Sequence, residues 1–309
     1  MMKRTIYSII SKSNGRGSIF SLCLCVSVFQ LFVLASCVKD DLYDTPHPAQ
    51  GGITVTADWS GCGEGVGVPA SWRVAIGDYT GTETGATHTP DRLFEPGSYR
   101  LTAYNDAENI TVSGTMATAA AASGNWDGVG GFITDTPGWL FTSTQEVTVE
   151  KDCDHAFTAE MRQQVRELIL TVEPKGDAAG RIESIEGYIS GAAGTLDFAT
   201  GVHGTPSNVE LRFTKITEGS DAGKWSATVR LLGVTGSTQR LTATIAYAGG
   251  NPRPTGFDSD LTQALGGFND NKTVPLTLGG TVTETPTAVG VGATVDDWTE
   301  VDGGSADAS

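Results

Sequence analysis

Beyond residue 50 the chain alternates apolar and polar residues with period two, and long helical periodicity is rare. In "GITVTADW" the residues Ile53, Val55, Ala57 and Trp59 share a face, and "SWRVAIG" puts Trp72, Val74 and Ile76 on one side. "GSYRLTAYN" aligns Tyr99, Leu101 and Ala103. "KWSATVRLLG" aligns Trp225, Ala227, Val229 and Leu231, and "RLTATIAYAGG" aligns Leu241, Ala243, Ile245 and Tyr247. Such runs read as half-buried antiparallel strands. Turn residues bound them, as in Glu95-Pro96-Gly97, and 40 glycines in 309 residues, nearly twice the usual ~7 percent, imply many turns. Two segments need more thought. "FTAEMRQQVRELILTV" carries a helical stripe of Met161, Val165, Leu168, Ile169 and Val172, but its second half is β-branched and lacks caps before Pro174. A strand from Gln163 to Val172 is expected, with a helix over 157–172 as the alternative. "DSDLTQALGGF" predicts a short helix over Leu261 to Leu265, capped by Asp260 and stopped by Gly266-Gly267.

The fold class is therefore all-β, with two β-sandwiches in series: residues 52–160, then 161–301, with a polar tail over 302–309. The boundary belongs near "KDCDHAF" and the ambiguous element behind it. The net charge of −16 becomes about −20 if residues 1–36 leave with their four basic residues, so no nucleic-acid partner is expected: phosphate backbones need positive surface.

The amino terminus reads as a leader. Lys3, Arg4, Lys12 and Arg16 precede an apolar run of about 17 residues from Ile19 to Ala35, shorter than the roughly 20 a membrane-spanning helix needs. Leu34-Ala35-Ser36-Cys37 resembles the lipobox of bacterial lipoproteins. That resemblance makes 1–36 a signal peptide, Cys37 the acylated first residue and 37–51 a lipidated tether in the outer membrane. Lys39, Asp40 and Asp41 resemble the export signal that carries Bacteroidetes-type lipoproteins to the cell surface; a solvated charge cluster is the plainer reading. Two further cysteines, Cys62 and Cys153, would meet an oxidising compartment, which favours a disulfide between them. Two free thiols, or a metal site with His155, are the alternatives.

Chemistry is hard to find. "GSDAGKW" has the wrong glycine spacing for a phosphate loop, and Trp225 stands where a magnesium-binding hydroxyl belongs. His47, His88, His155 and His203 are scattered and read as loop residues. No catalytic residue, metal or cofactor is expected. Trp126, in a Gly- and Ala-rich loop, is a candidate contact or a tucked-in anchor; Trp59, Trp72, Trp139 and Trp225 read as core.

"CVKDDLYDTPHP", "GITVTADWSG", "FEPGSYRLTAYN", "EMRQQVRELILTV", "GYISGAAGTLDFATG", "VRLLGV" and "DLTQALGGFN" together resemble the fimbrial anchor lipoproteins of Bacteroidetes-type bacteria, the FimB type of type V pili. The resemblance runs from Cys37 to about Val301. It implies two transthyretin-like β-sandwich domains, a place at the base of a pilus, and a fimbrial stalk subunit as partner. Stalk subunits of such pili are trimmed after an arginine near the amino terminus; no arginine lies between Val38 and Trp72, which fits an anchor that keeps its first strand. The competing class is a surface glycan-binding lipoprotein of a nutrient-uptake system, which would need exposed coplanar aromatics. Val289, Val291, Ala293 and Val295 share a face of the last run, and a phase change at Asp296-Asp297, suggesting a bulge, turns Trp298 the same way. This segment reads as the closing strand of the second sandwich, or as a strand donated to a stalk subunit.

Overall fold

The alternating runs fold as strands. The computed structural model describes residues 43–119, 124–126, 128–176, 178–287 and 290–301. The leader, Cys37, Lys39, Asp40, Asp41, Val289 and the tail 302–309 lie outside the described residues. The chain groups into Met1–Asp44 and a folded body, Thr45–Ser309. Among the described residues the body holds strands, two short 3-10 turns and no α-helix.

Its first strands are β1 (Gly51–Asp58), β2 (Trp72–Ile76), β3 (Tyr79–Glu83), β4 (Thr87–His88) and β5 (Gly97–Tyr104). An excursion follows, made of β6 (Ile110–Ser113), β7 (Met116–Ala119), β8 (Gly124–Trp126) and β9 (Val129–Ile133). The chain then returns as β10 (Phe141–Val149), β11 (Cys153–Glu160) and β12 (Arg162–Gln163). A three-stranded sheet, β11-β1-β4, faces a five-stranded one, β12-β10-β5-β2-β3. Ile53, Val55 and Ala57 meet Trp72, Val74, Ile76, Leu101 and Phe141 between them, all buried. Each side chain of that size contributes about 1.5–3 kcal/mol on burial. One expectation is corrected here: β1 has only a two-residue antiparallel partner in β4, and its long partner, β11, runs parallel to it from Gly51↔Cys153 to Asp58↔Glu160. The cause is a crossover, since the turn at 150–152 carries the chain from one sheet to the facing one.

The second sandwich contains β13 (Arg166–Lys175), β14 (Ile182–Asp197), β15 (Val202–Lys215), β16 (Trp225–Leu231), β17 (Arg240–Tyr247), β18 (Thr255–Asp260), β19 (Leu276–Thr287) and β20 (Gly290–Glu300). The order β18-β17-β14-β15-β16-β13-β19-β20 is continuous and folds back on itself around a core of Leu168, Leu170, Ile185, Ile189, Leu241, Ile245 and Phe268. The excursion joins this sheet: β7 pairs with β14 and β9 with β15. Strands β6 to β9, inside the 52–160 span, therefore extend the sheet of the later residues, and Phe132 packs edge-on against Tyr188.

The ambiguous segment is extended throughout, so the helical alternative falls. Gln163 ends β12, and β13 starts at Arg166 and runs past Pro174. Proline is tolerated there because pairing with β16 stops at Val172; beyond it β13 pairs only with β19. The helix expected at Leu261 to Leu265 does not form. Asp260 does accept the Thr262 N–H (2.9 Å), and Leu265 N–H reaches Leu261 C=O (2.9 Å), but the chain continues as separate turns. Five residues before two glycines cannot repay helix nucleation, and Leu261, Leu265 and Phe268 are instead fixed by burial.

The proposed bridge between Cys62 and Cys153 is also corrected. Cys153 pairs beside Gly51 at the start of β1, whereas Cys62 turns back on Trp59 beyond its end. Eight extended residues separate the two ends by roughly 23 Å, far above the ~7 Å that a disulfide spans. Both are free thiols. Iodoacetamide added to the denatured, unreduced protein should label both; two unlabelled cysteines would contradict this placement.

Candidate functional site

The joint between the sandwiches is polar and ordered. Arg166 opens β13 in phase with Leu168, Leu170 and Val172, and like them it is buried. Its Nε donates to Val274 C=O (2.7 Å), its Nη1 to Phe268 C=O (3.0 Å), and its plane lies over the Phe268 ring, 5.3 Å from the centroid. Gln163 accepts the Gly63 N–H (3.0 Å) and donates to Val165 C=O (2.9 Å) and to Lys272 C=O, tying the loop after β1 to the loop before β19. Lys272 donates to the carbonyls of Gln164 (3.0 Å) and Leu232 (3.2 Å) and lies 3.2 Å from Nε2 of His203. Burial pulls Lys272 down to about 8, and burial, then the neighbouring Lys272 charge, pulls His203 down to about 4. His203 is therefore neutral in the fold and accepts from the ammonium.

The pH consequence has a definite sign. Between pH 6.5 and about 4 the unfolded chain binds a proton at His203 that the folded chain refuses, so stability is present above 6.5 and lost as pH falls through that window. The loss is on the order of 3 kcal/mol at most. His203→Gln should flatten the fall in urea midpoint between pH 6.5 and 4.5 relative to wild type. Identical slopes would contradict it.

The chain enters the first sandwich through a second polar cluster. Thr45 N–H and Oγ1 both donate to Asp152 Oδ1 (2.8 and 2.7 Å), and Asp152 N–H donates to Gln50 C=O (2.8 Å). His47 bridges Gln50 C=O through Nδ1 (2.9 Å) and Asp154 Oδ1 through Nε2 (2.8 Å). Both partners are acceptors, so they hold the imidazolium form and raise the His47 pKa, the Gln50 carbonyl first. Of the four histidines only His47 lies in a loop; His88, His155 and His203 sit in strands.

At the far end, β20 pairs with β19 from Leu278↔Glu300 to Thr287↔Gly290. Gly279 faces Thr299 and Thr281 faces Asp296, so β20 carries one extra residue there, the expected bulge. It turns Trp298 onto Gly280, and Trp298 Nε1 donates to Ser259 Oγ (2.8 Å), which donates on to Val295 C=O (3.2 Å). Val295 is buried, and Ala293 and Trp298 pack on the core. Val291 lies in the same strand. The segment is thus seated in its own sandwich. Among the described tryptophan side chains none is exposed: Trp72 and Trp225 are buried and Trp59, Trp139 and Trp298 half-buried. The ring of Trp126 is outside the described side chains.

Residues 79–303 match the model of the fimbrillin-A associated anchor proteins Mfa1 and Mfa2. The chain belongs to this family. Solved structures agree on the fold of these anchor proteins. A candidate adhesin from Bacteroides ovatus ATCC 8483 aligns at TM-score 0.53 and 18% identity, covering 85% of this chain and 97% of that one. The fimbrial anchor protein Mfa2 from Porphyromonas gingivalis aligns at 0.50 and 15%, covering 81% and 97%. A search of curated protein sequences gives no match. Membership in the Mfa1 and Mfa2 family makes this chain a fimbrial anchor or accessory protein, a structural role rather than a known enzymatic one. Gln163 and Lys272 carry no mark in the sequence, since they bond mainly to main-chain groups, several of them 100 or more residues away.

Proposed function

We propose that this chain is a lipid-anchored, non-catalytic fimbrial anchor that holds a stalk subunit at the outer membrane through β-strand contacts. The observation that carries this is the family match over 79–303 on a fold made of edges and sandwiches. In this reading residues 1–36 are removed, acylated Cys37 places the tether in the outer membrane, and Lys39, Asp40 and Asp41 direct it to the cell surface. The tether cluster of Thr45, His47, Asp152 and Asp154 supports it, because pull from a fibre would arrive where lipid-borne chain meets folded sandwich. The first strand stays in place as the centre of its sheet. The functional division follows 37–51, 52–160 and 161–301, with β7 and β9 strapping the two sandwiches together. In this reading β20 closes the second sandwich and is not the donor in the resting protein.

Deleting the gene and imaging the cells tests the reading. Fibres should be shed or abnormal in length, and cells carrying Cys37→Ser should release the protein into the medium. Unchanged fibres together with a lost glycan affinity would replace the anchor reading with the nutrient-uptake one.

A further inference from the structure

The loop before β19 carries four polar residues in a row, Asn269, Asp270, Asn271 and Lys272. The outer two hold the loop in place. Asn269 Oδ1 accepts the Val234 N–H (2.9 Å), its Nδ2 donates to Val234 C=O (2.9 Å), and Lys272 is spent on the carbonyls of Gln164 and Leu232. Arg166 adds bonds to the carbonyls of Gly267, Phe268 and Val274. Whatever this loop presents is therefore presented rigidly.

The two residues between them hold nothing. Asp270 N–H donates to Gly267 C=O (3.2 Å), but among the described residues its carboxylate accepts no hydrogen bond and forms no ion pair, touching Arg166 only through its charge. Asn271 Oδ1 accepts the N–H (3.2 Å) and Oγ1 (2.9 Å) of Thr273, and its amide donors go to no described group. Both side chains line an open groove of about 570 Å³ at the joint, to which the β14–β15 hairpin contributes half-buried Phe198 and β12 contributes Arg162. That volume is within the ~300–1,000 Å³ of small-molecule sites. The lining also selects by charge. Arg162 is paired with Glu160 (3.2 Å) and Lys272 is taken by carbonyls, so no cation is offered to an anion, and Asp270 on a chain of net charge −16 repels one.

We propose that this groove binds a neutral saccharide, whose adjacent hydroxyls bridge the Asp270 carboxylate and the Asn271 amide while a C–H face of the sugar lies on the Phe198 ring. A hydroxyl both donates and accepts, so two neighbouring hydroxyls match a carboxylate and an amide held side by side. The ring supplies the apolar platform that the less polar face of a sugar needs. Side chains rather than a main-chain ladder offer these groups, so the match is to hydroxyls and not to a strand. One ring is one platform. The site therefore takes a sugar or two, not the long flat stretch that a nutrient-uptake protein holds, and it is compatible with an anchor without depending on that role.

The probes are tetrasaccharides built of glucose, of mannose and of galactose, with tetragalacturonate as the charged counterpart, titrated into the full chain by calorimetry and by NMR. At least one neutral tetrasaccharide should bind, and tetragalacturonate should bind more weakly. Asp270→Asn should weaken binding at least about tenfold, as expected for a lost charged acceptor, and leave the urea midpoint unchanged because that carboxylate bonds nothing in the fold. Phe198→Leu keeps an apolar side chain against Leu196 and Leu232 and should weaken binding about fivefold through loss of the ring face. On the wild-type chain the side-chain amide signals of Asn271 should shift as sugar is added, a readout that does not depend on how any variant folds. Failure of all three neutral sugars to bind overturns the site. So does binding that leaves the Asn271 signals unmoved and is equal in both variants. Tighter binding of tetragalacturonate overturns the neutral class.

Discussion

A chain ended after Gly290 should fail to reach its native fold. Removing β20 takes away the ladder on the outer side of β19, uncovers Val282 and Leu278, and deletes Val295 and Trp298 from the core. Trp298→Ala alone should cost about 3 kcal/mol, because the ring packs on Gly280 and its Nε1 holds Ser259. Domains of this kind have a total stability of about 5–15 kcal/mol, so losing the whole strand exceeds what the sandwich can spare. Circular dichroism and a urea titration decide it. A truncated chain that unfolds cooperatively at the wild-type midpoint would show that β20 is dispensable to the fold and free to be donated.

Arg166→Ala is the second large effect. Three carbonyls, those of Gly267, Phe268 and Val274, lose their donor at once, and the Phe268 ring loses the cation above it. Each buried acceptor left unmet costs about 1–3 kcal/mol, so a total loss of about 3–5 kcal/mol is expected, some of it recovered because burial already disfavours the guanidinium charge. The loop 266–274 should become protease-sensitive before the rest of the chain unfolds. A variant with unchanged midpoint and unchanged cleavage would mean that the joint does not depend on Arg166.

Strand faces were legible because one physical rule, alternation against a core, governs them. Trp225, Ala227, Val229 and Leu231 are all buried as read, and so are Leu241, Ala243, Ile245 and Tyr247. The bulge at Asp296-Asp297 was legible for the same reason, since an extra residue is the only way to keep both Val295 and Trp298 inward. Pairing partners were not. That β11 lies parallel to β1, and that β7 and β9 cross to the second sheet, depends on turns and crossovers that leave no local pattern. Alternation puts Arg166 on the buried face of β13, but its partners and those of Lys272 were silent in the sequence because they are main-chain carbonyls, which every residue has. Compartment chemistry suggested pairing Cys62 with Cys153, but it says nothing of distance, and the two lie at opposite ends of one strand ladder.

Anchoring is a statement about position along a fibre, and position can be seen. Immunogold labelling of this protein on cells with intact fimbriae should place the particles at the cell-proximal end of each fibre, with fibres sheared from the surface carrying little label. Gold spaced along the shafts, or concentrated at the distal tips, would contradict the account.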